Sequence, residues 1–552
     1  MISSRWFLLA LAVFILAGCD MVRSEVRGCT VVPAGSVVEL EVRDLTFIQT
    51  VETSGEHLIS GRSALARVHL VHHEPSPEPL ALNTTVTLSR SPAAGSSPLV
   101  ATGPRCVPGA DEAPALATTF NVLVPLDWFV AGTAIEAAVD IGGDVTVADV
   151  DLLRYPRADQ PAPMVQEPPP FAITFVPIDF GGTVADTSIA ASEYLTRTLN
   201  RFPLHDVDAA VRQSFYVEPT PELEFLPTYR HVLQLLATLR LAEAPERTYY
   251  GLMPSLPGIA GGGLGLLGQP AAVGSQFQGP NVGAGLVAHE LGHTFGLLHA
   301  PCGMRGGIDP DYPYPDGTIG VWGRDPFTNE MYPPTAYDLM GGCPPWWISD
   351  YHYLKILEFR RDAALARLDA EPARTTRTLI VTGSIQDGHV EVAPLLSTAA
   401  RAHPPTPGDW TFRLQDRDSV TLLEASFAPT LVAGGHDGSR MFAFSLPVAE
   451  DQLARAMRAH VLDDSGRVVS SRLRTAARSS ADIVVEPATA GSTTLRWDGS
   501  TFMAALAVDA ASGRVLAFGQ GGSLALENQA SPVELILSDG IGTIRQTVHT
   551  EW

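Results

Sequence analysis

Apolar and polar residues alternate with a period of two along most of this chain, and only in a central stretch does the period lengthen to that of a helix. In residues 65–70 the side chains of Ala66, Val68 and Leu70 share one face, the pattern of a strand with one side buried. Similar runs through residues 25–150 predict an N-terminal β-domain, with an Ig-like sandwich as the expected form. His69, His72 and His73 cluster there and read as polar strand and loop residues rather than as a second metal site. The chain then turns proline-rich over 154–170, ending in Pro168, Pro169 and Pro170, which predicts a stiff linker.

The longer period begins after that linker. Residues 171–178 read as a strand and 186–200 as a helix with Asp186 as its cap. Val232, Leu235, Leu236 and Leu239 recur at helical spacing, and 248–253 reads as another strand, so an α+β subdomain is expected. The glycine-rich run 260–268 lacks the GK[ST] ending of a phosphate loop, which disfavours nucleotide binding. Trp346, Trp347, Tyr351 and Tyr353 are expected to open a helix running to about Leu368 and to seal the lower part of this domain. From 371 onward short alternating runs punctuated by glycine turns predict β-structure again, with a break near 478. The expected organisation is multidomain: leader 1–18, β-sandwich 19–153, linker 154–170, α+β domain 171–370, β-sandwich 371–478 and C-terminal β-domain 479–552.

Composition narrows the partners. With 45% hydrophobic and 18% charged residues the composition is that of ordinary globular protein and argues against extensive disorder. A net charge of −23 argues against nucleic acid and anionic membrane surfaces. Lys355 is the only lysine, a bias that a GC-rich genome accounts for. At the N-terminus Arg5 precedes an apolar run over 6–16, too short for an assured membrane span and flanked like a secretory signal. It ends in Leu16-Ala17-Gly18-Cys19, which resembles the lipobox of bacterial lipoproteins. That resemblance implies cleavage before Cys19, lipidation of its thiol, export, and an anchor made stable by more than one acyl chain. Asp20 resembles an inner-membrane retention signal whose rule does not transfer reliably, so the choice of membrane stays open; the sequon at Asn83 carries no meaning in such a protein.

The chemistry is concentrated in HELGHTFGLLH, residues 289–299. His289 and His293, four apart on a helix, project from one face and can offer two ring nitrogens to one metal ion. Glu290 beside them can reach a water on that metal, which zinc acidifies to a pKa of about 7, and act as general base. Gly296 lets the chain leave the helix through a left-handed turn, which brings His299 back as third ligand. Three protein ligands and one open position describe a catalytic zinc site, since structural sites are closed and rich in cysteine.

These residues resemble the metzincin clan of zinc endopeptidases, whose signature HExxHxxGxxH is followed by a methionine turn. The resemblance implies that Met340, in YDLMGGC, lies beneath the metal, although a methionine there also suits plain core filling. Several metzincins carry a tyrosine two residues after that methionine; here the position is Gly342, and whether nearby Tyr337 replaces it is open. A gluzincin would need a glutamate ligand on a later helix, whereas 301–336 is rich in Pro and Gly and reads as loop. By the same resemblance the run 260–268 would lead into an edge strand along which a peptide is aligned, with a flexible loop as the equal alternative. The acidic loop 309–317, DPDYPYPDG, offers hard oxygen ligands suited to Ca2+, but its spacing matches no EF-hand and a solvated loop is the preferred reading.

Without Cys19 four cysteines remain, which allow three connectivities. Joining Cys302 to Cys343 would clamp the two walls of the site, leaving Cys29 for Cys106. Residues 103–108 around Cys106 resemble the cysteine switch of matrix metalloproteases, but the spacing after the cysteine departs from it, and a thiol that blocks zinc is the lesser reading. The functional expectation is a lipid-anchored envelope endopeptidase acting on protein or glycoprotein substrates through one zinc ion. The alternative is a surface-anchored lipoprotein whose β-modules bind glycan or protein around a structural zinc; a third, amide hydrolysis of a non-protein substrate, would use the same site.

Overall fold

A computed structural model describes residues 28–549, apart from 76, 93–96, 114, 159, 188–197, 199, 220–222, 260, 277–279, 369–374, 436, 475–478, 488–491 and 528–531. The signal sequence, Cys19 and most of the helix expected over 186–200 lie outside the described residues. The chain divides into two compact units, residues 1–167 with 321–331, and residues 168–320 with 332–552.

The first unit is a pair of four-stranded sheets. One orders Phe120–Val124, Ala64–His72, Leu40–Ile48 and Glu52–Ser54; the other orders Arg154–Tyr155, Ala134–Gly142, Asn83–Ser91 and Leu99–Ala101. Their inward residues close one core: Phe47, Val68 and Leu70 from the first sheet meet Val86, Leu88 and Ile135 from the second. The period-two pattern produces this directly, because burying one face of each sheet removes alternate side chains from water at about 25 cal/mol per Å2. The segment 321–331 belongs to this unit: Glu52 N donates to Trp322 O at 2.7 Å and Arg324 N donates to Thr50 O at 2.9 Å. The Arg324 guanidinium donates to Asn329 Oδ1 at 2.6 Å and Ser63 O at 3.2 Å. Val165–Gln166, within the proline-rich run, pairs in parallel with Leu58–Ile59.

The second unit is built on a five-stranded sheet. We label Phe171–Phe180 β1, Val207–Val211 β2, Phe225–Glu243 α1, Thr248–Met253 β3, Gly263–Leu266 β4, Ala271–Ser275 β5, Pro280–Thr294 α2, Asp350–Leu368 α3 and Thr430–Ala433 β6. The spatial order is β2-β1-β3-β5-β4, parallel except for antiparallel β4. Helix α1 buries Val232, Leu235, Leu236 and Leu239, the stripe that the sequence spacing marks. These side chains pack with Val176 and Val273 of the sheet and also with Ile380, Leu396 and Met441 from beyond residue 375, so one core covers both faces of the helix. The later strands pack around Phe412, Phe427, Phe442 and Phe444, and finally around Leu495, Trp497 and Leu535. Trp346 and Trp347, expected at the start of a helix, instead form a two-residue strand parallel to Tyr337–Asp338, and α3 begins only at Asp350. Two cross-chain backbone bonds there, Tyr337 N to Pro345 O and Leu339 N to Trp347 O, override helical propensity.

Among the described residues no helix is long and apolar enough to cross a membrane. Disulfides join Cys29 to Cys106 and Cys302 to Cys343, each pair with Cα atoms 5.8 Å apart. They fit an exported protein. Cys106 is therefore not the unpaired thiol that a cysteine switch requires.

Candidate metal centre

Helix α2 carries His289, Glu290 and His293, with Val287, Ala288 and Leu291 buried around them. It stops in a double-bonded turn: Leu297 N donates to Gly292 O at 3.1 Å and Gly296 N to His293 O at 2.9 Å. Gly296 stands at φ +84°, the left-handed geometry that glycine enters without a Cβ penalty. The turn returns the chain, and His299 comes to face the two helical histidines. Ring centroids lie 5.0 Å (His289 to His293), 5.3 Å (His289 to His299) and 4.8 Å (His293 to His299) apart. One nitrogen from each ring falls within 4.8 Å of the others, and the three could hold a metal ion.

Ring orientation is fixed by backbone carbonyls. The Nδ1 atoms of His289, His293 and His299 lie 2.8 Å, 2.8 Å and 2.7 Å from Leu339 O, Leu297 O and Gly306 O. A carbonyl only accepts, so each Nδ1 carries the proton and each Nε2 is the atom that could ligate a metal, the arrangement usual for metal-bound imidazole. The buried Nε2 of His293 and Oε2 of Glu290 have no hydrogen-bond partner. Buried polar atoms left unsatisfied cost about 1–3 kcal/mol each, so this donor set fits a metal and a water better than an empty core. Burial pushes the Glu290 carboxyl well above the usual carboxylate range. Burial, then the neighbouring His289 and His299, pushes His293 well below the usual imidazole range and favours the neutral ligand form.

Met340 is fully buried, with its Sδ 2.5 Å from where a Cβ on Gly292 would stand. A side chain at Gly292, between the two helical histidines, would displace the methionine. Beneath it Asp338 accepts from Met340 N at 2.7 Å, Ser349 N at 2.8 Å and His352 Nδ1 at 2.9 Å. Burial alone would raise Asp338, but the His352 ring and these donors outweigh it and hold the carboxyl below its usual range. The same turn positions the Leu339 carbonyl that orients His289. Gly342, where several metzincins have tyrosine, donates its N–H to Cys302 O at 2.7 Å and packs against Gly303, leaving a Cβ there only 3.3 Å from backbone. Tyr337 N donates to Pro345 O at 3.0 Å in the short strand pair.

Within the glycine-rich run, Gly263–Leu266 form β4, lying against α2. A Cβ on Gly263 would meet Glu290 at 2.5 Å and one on Gly265 would meet His293 at 2.7 Å, so these glycines let the strand approach the helix. The outer side of β4 is paired with β6 at Gly265 and Leu266, so over those residues it is not the open edge that the resemblance implies. In the acidic loop Asp309 is buried against Lys355, and it forms no metal cluster with its neighbours among the described residues. Sequence reasoning passed over Gly292, Asp338, His352 and Lys355; only the glycine inside HExxH carried a usable signal.

Residues 250–338 match the family model described as Peptidase M66. The chain is also similar to Dictomallein of Burkholderia mallei (strain SAVP1) and of Burkholderia pseudomallei (strain K96243), 42% identical over 82 residues in each case. That alignment covers 14% of this chain and 11% of the relative, so only about a tenth of each curated relative's length is spanned. Peptidase M66 is a metallopeptidase family, and the matched segment contains all three histidines and Glu290 while ending just short of Met340.

Proposed function

We propose that the chain is a zinc-dependent endopeptidase of the bacterial cell envelope, lipid-anchored through Cys19, that cleaves extracellular or envelope proteins. The domain carrying the chemistry spans 171–370 and the β-domains flank it. The observation that carries the reading is the buried carboxyl of Glu290, whose Oε2 has no partner within the protein and which follows His289, one of three convergent imidazoles, in the chain. A metal that only stabilised the fold would not need it.

His289, His293 and His299 would hold one zinc ion through their Nε2 atoms. When bound, zinc acidifies a coordinated water to a pKa of about 7 and polarises the scissile carbonyl. Glu290 would take the proton from the attacking water and pass it to the departing amine. The carbonyls of Leu339, Leu297 and Gly306 keep the three rings in one orientation throughout. Met340 and Gly292 form the close-packed floor beneath them.

The test compares wild type with Glu290→Ala on casein and on a peptide library, with cleavage products read by mass spectrometry and metal content by elemental analysis. The reading expects internal peptide bonds cut by wild type alone, with metal in both proteins. Equal activity in both, or none in either despite bound metal, overturns it.

A further inference from the structure

Lys355 is the single lysine among 37 basic side chains. From α3 its Nζ donates to Asp309 Oδ2 at 2.8 Å and to the Tyr351 hydroxyl at 3.2 Å. That hydroxyl donates to the same carboxylate oxygen at 3.1 Å, and the ammonium lies 4.8 Å from the Tyr351 ring centroid. The Asp309 side chain is 2% exposed and that of Lys355 36%, so a buried carboxylate is neutralised by a cation at the protein's rim.

Asp309 is joined to the third histidine through the backbone. Asp309 N donates to His299 O and His299 N donates to Gly307 O, each at 2.8 Å, while His299 Nδ1 donates to Gly306 O at 2.7 Å. Residues 306–309 therefore hold His299 at three points. The segment has little stiffness of its own, since Gly307 stands at φ +65° and glycine fixes no conformation unaided. His289 and His293 are set by a helix, whereas His299 depends on this loop and on what anchors it.

We propose that Lys355 is a positioning residue for the third metal ligand: its ammonium fixes Asp309, Asp309 fixes 306–309, and that segment fixes the His299 ring. The inference rests on the metal-centre reading above. A compact ammonium with three donors serves the carboxylate and the tyrosine hydroxyl from one point, which a planar guanidinium fork does with different geometry.

Full-length wild type, Lys355→Met, Lys355→Arg and Asp309→Asn are loaded with Zn2+ or Co2+ and titrated against a chromogenic chelator. Partners behind metal ligands typically contribute about 10–100-fold in affinity, and the expected loss for Lys355→Met and Asp309→Asn is about tenfold. The cobalt absorption bands shift in the same two variants and Lys355→Arg recovers most of the loss, whereas any change in the metal-free melting midpoint does not track the loss of affinity. Wild-type chelator competition and an unchanged cobalt spectrum in Lys355→Met overturn the proposal and leave the metal centre standing. A loss of affinity that follows a lowered metal-free midpoint, with Lys355→Arg no better than Lys355→Met, also overturns it by making Lys355 a residue of the fold. Wild type that binds no metal overturns the metal centre itself, and this inference with it.

Discussion

Two groups of three histidines lie in this chain, and only one converges. In the N-terminal sandwich His69 and His72 sit three apart on a strand, where odd spacings point to opposite faces, and His73 follows at its end. His69 Nε2 lies 3.0 Å from Thr46 Oγ1, whereas His73 Nε2 lies 2.9 Å from Glu41 Oε2. In the second unit His289 and His293 share a helix face and a glycine turn returns His299 to them, so three ring nitrogens fall within 4.8 Å. Residue type is the same in both places; the period of the backbone decides whether it makes a ligand set or a row of separate contacts.

The strongest way to separate the two groups is to remove the buried acid next to the second. Glu290→Ala is expected to lower kcat by about 10²–10⁴-fold while metal is retained, and no substitution at His69 or His73 should approach that in the same assay. Next in size, His293→Ala should weaken metal binding by more than the roughly 100-fold limit typical of indirect partners, whereas His69→Ala leaves metal content after dialysis unchanged. An equal loss of metal from both variants would erase the distinction.

The disulfides extend the comparison. Cys29–Cys106 closes a loop of 77 residues in the first unit and Cys302–Cys343 one of 41 in the second. Replacing either pair by serine is expected to cost about 4 kcal/mol of stability in denaturant titrations. Only the second should also weaken metal binding, because Gly342 beside Cys343 donates to Cys302 O next to the turn that carries Met340.

The smallest effect concerns pH. Burial first, then Arg67 and Arg43, push His69 down to about 4 from the ordinary value of 6.5. The unfolded chain then binds a proton that the folded chain refuses. The stabilisation is complete above about pH 6.5 and is lost as pH falls toward 4, to a limit of about 3 kcal/mol. Urea midpoints followed through Trp128, buried in the same unit, should fall over that window, and His69→Gln should flatten the slope. An unchanged slope in the variant would assign the acid sensitivity to other groups.

Much of the candidate site was legible because it is local. HELGH, Gly296 and His299 lie within a dozen residues, and helix periodicity with one left-handed turn brings the three histidines within reach of one another, while 306–309 and Leu339 set their final orientation. The stripe Val232, Leu235, Leu236 and Leu239 was legible for the same reason. Asp338 and His352 carried no such signal, since neither matches a motif and their pairing depends on the turn before Met340 meeting α3. The anchoring of Asp309 by Lys355 joins residues 46 apart. Trp346 and Trp347 read as the start of a helix because local propensity says nothing of the parallel strand at Tyr337–Asp338 that captures them.

By itself the sequence determined which residues could ligate a metal, which could act as a base, and the alternation that makes strand the commonest element of the chain. These follow from side-chain chemistry and from periods of 3.6 and 2.0 that every short segment expresses alone. Tertiary structure decided what orients the ligands and what packs beneath them. It also carried 321–331 into the other unit and paired β6 with the outer side of β4. Those outcomes depend on hydrogen bonds and packing between residues far apart in the chain, for which no local pattern is selected.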